Sequence, residues 1–386
     1  MAKPQILQQA LEKPGLFVQF GGQGAPWYKE LKKYYDSGEM KPFFDAAIGA
    51  LEEEASIVNG TPGLPHGLDP RKWLDDESTI PSEDYLGCAA VSIPMIQMTQ
   101  LAHLEALTQA GYDRASMIKA TVGGSGHSQG LIPSTLVSLG LEGDQYLEAV
   151  KKYTKYVLYI GVRSQEVFPY FDPTPEESKK AEELGSPNPA PMVAVLGEDH
   201  AYMEDLVKKE NEKLPDDKKI YISLYNSPSN RILSSHRSSL LQFHEANKDA
   251  FDEKKVKFVY LRTTCPFHSP LMEPMMPLFQ KDLERIGFDY QGSSLHFPIY
   301  SFFDQRNYQQ EANMPLGLAT DMVLKTLFWD KPMKAAAEHS PAVTQIIDFG
   351  PGKTSQRLSM DSLKGIGKEL PVLAAAFAKD FKTLTE

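Results

Sequence analysis

The sequence predicts an α/β protein with a large domain built on a parallel sheet and a smaller α+β unit set into it. Two observations carry this expectation. Apolar runs at 16–20, 118–122 and 345–349 each end in a glycine-rich turn, the pattern of buried strands feeding helices. Between 192 and 261 the pattern changes to short strands and helices in the order β-α-β-β-α-β, the ferredoxin-like arrangement.

In chain order, the run 16–20 (Leu-Phe-Val-Gln-Phe) reads as a buried strand that stops at Gly21-Gly22-Gln23-Gly24, with a helix starting near Pro26. Helical patterns follow at 41–56 and 81–111, and Pro94 is expected to kink or split the second. The run 118–122 reads as a strand, and 129–139 as the helix after it, with Pro133 in its first turn, where a missing N–H costs little. A long amphipathic helix spans 144–168 and closes at Pro169. A loop dense in proline, from Phe171 to Pro191, marks a boundary.

Beyond it, strands are expected at 192–196, 220–225, 231–234 and 256–261, with helices at 199–214 and 238–249. The domains are therefore expected to be 1–190 with 263–386, and an inserted ferredoxin-like unit at 191–262.

Composition narrows the function. The chain has 386 residues and a formal charge of −11, which argues against a nucleic-acid or anionic-membrane partner reached through net electrostatics. Two cysteines, Cys88 and Cys265, cannot form a disulfide framework, and no metal-binding spacing is present. Residues 1–16 lack an apolar signal core, and no run has the length a membrane span needs. A soluble, cytoplasmic protein is the expectation.

Gly126-His127-Ser128-Gln129-Gly130 fits the G-x-S-x-G nucleophile elbow. A serine hydroxyl becomes a useful nucleophile when a sharp strand-to-helix turn presents it to a base, and small flanking residues make that turn possible. The helix behind Ser128 would aim the Gln129 backbone N–H at an oxyanion. The bland alternative is a glycine-rich turn with no chemistry. Of the nine histidines, His268 has the most suggestive setting, between Pro266 and Pro270 where the chain leaves the inserted unit.

Together Gly21-Gly22-Gln23-Gly24, the elbow, Pro266-Phe267-His268-Ser269 and Gly350-Pro351-Gly352 resemble, in that order, the acyl-CoA:acyl-carrier-protein transacylases of fatty-acid and polyketide synthesis. The resemblance runs from Leu16 to about Leu373 and implies an α/β-hydrolase-like large domain. It also implies ping-pong transfer, with acyl-CoA as donor, an ester on Ser128, His268 as base and then acid, and the phosphopantetheine thiol of a carrier protein as acceptor. Backbone N–H groups of Gln23 and Gln129 would hold the oxyanion. A backbone carbonyl near Thr326, rather than an aspartate, would orient His268, and Asp348 is expected to be a turn residue. No permanently bound cofactor is implied.

Malonyl-specific members carry an arginine where this chain has Ile160, so a neutral acyl group such as acetyl is expected. Together with Gly22, Ile160 makes the chain look like the starter acetyltransferase domains of fungal-type and actinobacterial synthases. Ile160, Phe267 and His127 are the expected acyl-pocket residues, with Asn226 and Thr326 behind them. Arg163 either reaches the pocket, which would allow malonyl, or is a salt-bridge residue. A basic rim for the acidic carrier is sought at Lys218, Lys219, Lys254, Lys255 and Lys257. An acyl hydrolase using the same serine and a non-catalytic carrier-docking subunit remain open alternatives.

Overall fold

The computed structural model describes residues 3–386. Strands β1 (Leu16–Phe20), β2 (Thr121–Gly126), β8 (Gln345–Asp348) and β9 (Val372–Ala374) form one parallel sheet in the order β2-β1-β8-β9. Every residue of β1, β2 and β8 is buried, as befits a parallel sheet covered on both faces by helices. β1 pairs with both β2 and β8, so the turns after these three strands converge at one end of the sheet. In open α/β sheets that end is where ligands bind.

The second sheet holds β3 (Met192–Leu196), β4 (Tyr221–Ser227), β5 (Asn230–Ser234), β6 (Lys257–Tyr260) and β7 (Leu327–Phe328), in the order β6-β3-β5-β4-β7. The first four are antiparallel with the ferredoxin-like arrangement. β7 joins the edge in parallel from far down the chain, and the Pro175–Glu183 helix packs its Ala181 with Leu184 against Leu241. The small unit thus recruits residues from both sides of the 191–262 segment.

Three local expectations change. Residues 114–120 form a helix, Arg114–Ala120, capped by the Asp113 carboxylate accepting the Ser116 N–H (2.9 Å), and the strand begins only at Thr121. The 81–111 pattern breaks at Cys88, between helices Glu83–Gly87 and Ala89–Gln109, while Pro94 lies unbroken inside the second. The segment after the elbow starts as a 3-10 turn, Ser128–Gly130, before the Leu131–Ser138 helix. No helix among the described residues is long and apolar enough to cross a membrane.

Candidate active site

The elbow is built from close backbone approach. A Cβ on Gly126 would lie 1.9 Å from the Gly130 carbonyl carbon, and one on Gly130 would lie 2.3 Å from the Phe20 carbonyl oxygen, so only glycine fits either position. The His127 N–H donates to the Phe20 carbonyl (2.9 Å), which ties the turn to the end of β1. Ser128 adopts φ 54° and His268 φ 56°, both in the left-handed region that side chains avoid, as residues held by an over-determined site do.

Ser128 Oγ lies 2.8 Å from His268 Nε2. His268 Nδ1 lies 2.7 Å from the Lys325 carbonyl oxygen, an acceptor only, so Nδ1 carries the proton and Nε2 presents its lone pair to the serine hydroxyl. The orienting carbonyl is therefore that of Lys325, one residue before the expected Thr326. Burial pushes His268 down to about 4. The Lys325 and Asp321 carbonyls oppose that shift and nearby His127 adds to it. His268 is thus neutral at physiological pH, with the Nε2 lone pair free to accept the serine proton.

Asp348 is no third member of the set. It is fully buried, and its carboxylate accepts the Gly350 N–H (3.1 Å) and the Ser355 hydroxyl (2.9 and 2.7 Å), which fixes the Gly350-Pro351-Gly352 turn. Burial raises it to about 6.

The Gly21–Gly24 turn abuts the serine, since a Cβ on Gly22 would lie 3.5 Å from Ser128 Cβ and 2.7 Å from His127 Nδ1. The Gln23 side chain moors this turn, donating to Ser92 Oγ (2.5 Å) and accepting from Thr263 Oγ1 (3.2 Å). The Gln129 side chain turns inward to the Ile93 carbonyl (3.2 Å). Neither backbone amide is used in a turn or loop hydrogen bond among the described residues; Gln23 lines the cleft beside Ser128, whereas Gln129 is buried behind the serine and is not part of the cleft wall. Sequence reasoning missed Gln100, whose Nε2 bridges the Gly21 (2.7 Å) and Gly350 (2.9 Å) carbonyls and so locks two of the converging turns together.

A cleft of about 300 Å³ opens over Ser128 and His268. Its wall is apolar, with Met192, Ala194, Leu224 and Ile232 from the small sheet beside Phe267 and Leu358. His127 lines it as expected, donating from Nε2 to Asn226 Oδ1 (2.7 Å), and burial holds this ring neutral with its pKa down to about 4. No lysine or arginine lines the cleft among the described residues.

Ile160 is fully buried in the Gly143–Val167 helix and does not line the cleft, a correction to its expected place on the pocket wall. Arg163 is bound by Asp282 (2.6 and 3.0 Å) and Glu166 (2.7 Å), which makes it a salt-bridge residue rather than a pocket cation. Thr326 does not line the cleft either. Of the lysines sought as a rim, Lys219 donates inward to the Asn211 (2.5 Å) and Leu214 (2.6 Å) carbonyls, and Lys254 pairs with Glu198 (3.3 Å). A larger groove of about 580 Å³ shares Val259, Leu261 and Thr263 with the cleft but contains neither the serine nor the histidine. No cluster of potential metal ligands is present among the described residues.

Comparison with known proteins points the same way. The family described as "starter unit:ACP transacylase in aflatoxin biosynthesis" matches residues 18–268. The fatty acid synthase subunit beta of Schizosaccharomyces pombe is 31% identical over 92% of this chain, and that of Saccharomyces cerevisiae 26% identical over 87%. The chain spans only 18% and 17% of those two proteins' length. Among solved structures, the malonyl CoA-acyl carrier protein transacylase of Clostridium perfringens superposes with a TM-score of 0.67 at 19% identity, covering 95% of both chains. The malonyl-CoA:acyl carrier protein transacylase of Xanthomonas oryzae gives 0.68 at 16%, covering 96% of this chain and 97% of its own. At such identities the likeness is one of fold.

Proposed function

The chain belongs to the starter unit:ACP transacylase family, and from that premise we propose that it moves a neutral acyl group, acetyl foremost, from acyl-CoA to the phosphopantetheine thiol of an acyl carrier protein. In the first half-reaction His268 Nε2 takes the Ser128 proton as Oγ attacks the thioester carbonyl. The oxyanion sits between the Gln23 and Gln129 N–H groups beside the helix start. Collapse breaks the C–S bond, and the imidazolium returns its proton to the departing sulfur, releasing CoA and leaving the acyl ester on Ser128. In the second half, His268 takes the proton of the carrier's thiol, the sulfur attacks the ester, and Ser128 leaves with that proton. The Lys325 carbonyl steadies the imidazolium in both halves.

The observation that carries the choice of acyl group is the absence of any cation among the described residues lining the cleft, where both histidines are held neutral. A malonyl carboxylate would enter a largely apolar cleft with no cation to pair it, an expensive desolvation. Ile160 supports the reading indirectly, because the helix position that would carry a carboxylate-gripping arginine is sealed in the core. The test is competition between acetyl-CoA and malonyl-CoA for transfer to a phosphopantetheinylated carrier. The expected result is a kcat/KM for acetyl at least about tenfold higher, roughly 1.4 kcal/mol of discrimination. Equal or reversed preference would remove the neutral-acyl assignment.

A further inference from the structure

The nucleophile and its base reach the cleft from distant parts of the chain, and a fully buried carboxylate links the two supports. Asp321 sits in the last turn of the Met314–Leu324 helix. Its Oδ2 accepts the hydroxyls of Ser301 (2.6 Å) and Tyr308 (2.7 Å), and its Oδ1 accepts Arg306 Nη2 (2.9 Å). Arg306 is shared with Asp304 and Glu311 (3.0 Å), and Tyr156 packs nearby with its hydroxyl given to the Pro315 carbonyl (2.6 Å). All three donors to Asp321 lie on one hairpin, whose arms pair at Tyr300 and Asn307.

That hairpin rides on β2, the strand that ends in the elbow. Gly124 bridges Ile299, the Tyr300 N–H donates to the Gly124 carbonyl (2.9 Å), and Ser125 Oγ donates to the Tyr300 carbonyl (2.8 Å). On the far side of Asp321, the end of the helix holds the base. The His268 N–H donates to the Val323 carbonyl (2.8 Å) and its Nδ1–H to the Lys325 carbonyl (2.7 Å), while Phe302 of the hairpin packs edge-on against its ring.

We propose that Asp321 is a positioning residue for the transfer reaction, bolting the carbonyls that orient His268 to the hairpin carried by the strand that delivers Ser128. With the bolt in place, serine and imidazole share one frame although 140 residues separate them. A carboxylate taking three donors fixes both the rotation and the height of the helix end, and a misplacement of about 1 Å at a catalytic pair can cost on the order of 100-fold in rate. The same charge buried without these donors would be destabilising, and with them both carboxylate oxygens of Asp321 are hydrogen-bonded.

The test rests on the proposed acyl transfer for its rate arm and on nothing but the fold for its spectroscopic arm. Asp321→Asn, Tyr308→Phe and Ser301→Ala are compared with the unmodified chain in two ways: the single-turnover rate of acetyl transfer from acetyl-CoA to Ser128, and the proton NMR resonance of His268 Nδ1–H. The expected result is a rate lowered roughly 10- to 100-fold in Asp321→Asn and less in the other two, with the acetyl-CoA concentration at half-saturation unchanged. The Nδ1–H resonance shifts or is lost in the same order.

If Asp321→Asn does not fold, the two single-donor variants carry the comparison. Variants that melt earlier but keep the rate per folded molecule and the resonance would overturn the proposal, because Asp321 would then serve stability alone. If the unmodified chain takes no acyl group from any acyl-CoA, the functional reading fails by itself, and the resonance still decides the positioning role.

Discussion

Ser128 and His268 touch at 2.8 Å, yet they are held in opposite ways. The serine is placed by five consecutive residues. Gly126 and Gly130 admit backbone contacts that nothing larger would, and the helix start follows directly. The histidine is placed by the Val323 and Lys325 carbonyls, more than fifty residues away in sequence, and through them by a hairpin and a buried aspartate. Local geometry makes the nucleophile and long-range packing makes the base. The first should fail all at once when its turn is disturbed, and the second by degrees.

The largest effect expected is that of Ser128→Ala, which should abolish the acyl adduct and lower transfer by about five orders of magnitude or more with an unchanged melting temperature, read by single-turnover transfer and thermal unfolding. A retained adduct would place the nucleophile elsewhere. Next comes Gly126→Ala. Its methyl would fall 1.9 Å from backbone carbon, so the turn must open, at a cost of about 3 kcal/mol or more in urea unfolding and with complete loss of acylation. A variant that folds and acylates normally would break the contrast, since the elbow would then be no tighter than an ordinary turn.

The pH profile sharpens the other half. His268 acts only when neutral, and burial holds its pKa near 4 against an ordinary 6.5. The acylation rate should stay level from neutrality down to about pH 5 and fall tenfold per unit below about 4. Because the folded pKa lies below the unfolded one, the same group adds stability above pH 6.5 that is lost as pH falls towards 4. A rate that already halves near 6.5 would show that solvent reaches the ring and that the long-range frame is looser than described.

The smallest effect expected is that of Asp348→Asn. An aspartate orienting a catalytic histidine costs roughly four orders of magnitude in kcat when replaced by asparagine. Asp348 holds only the Gly350 turn, so its loss should cost less than about tenfold and act mainly on stability.

The same contrast decides what was legible in the sequence. The elbow, the glycine turn after β1 and the β-α-β-β-α-β pattern are written in neighbouring residues, and the structure has these elements in that order, with the strand before the elbow shifted to Thr121–Gly126 and a 3-10 turn ahead of the following helix. The proline-flanked loop singles out His268 in the sequence, and its ring lies against Ser128 Oγ in the structure. Its partner was not readable to the residue, because a backbone carbonyl has no side-chain signature and Lys325 and Thr326 differ only by how the helix ends. Asp321, Ser301, Arg306 and Tyr308 look unremarkable in sequence and acquire meaning only when the hairpin docks on β2. Of the run 118–122 expected as strand, residues 118–120 instead close the Arg114–Ala120 helix, whose start the Asp113 cap three residues before Ser116 signals. Ile160, expected on the pocket wall, is sealed in the core away from the cleft, since a helical position alone does not say which cavity a face meets.

The measurement that bears most directly on the account is the intact-protein mass after brief incubation with acetyl-CoA, malonyl-CoA and longer acyl-CoAs, with Ser128→Ala alongside, before and after addition of a phosphopantetheinylated carrier protein. The account predicts an acetyl adduct that requires Ser128, forms faster than a malonyl adduct and moves onto the carrier. An adduct lost to water at the same rate with or without the carrier, or one that persists in Ser128→Ala, would contradict it.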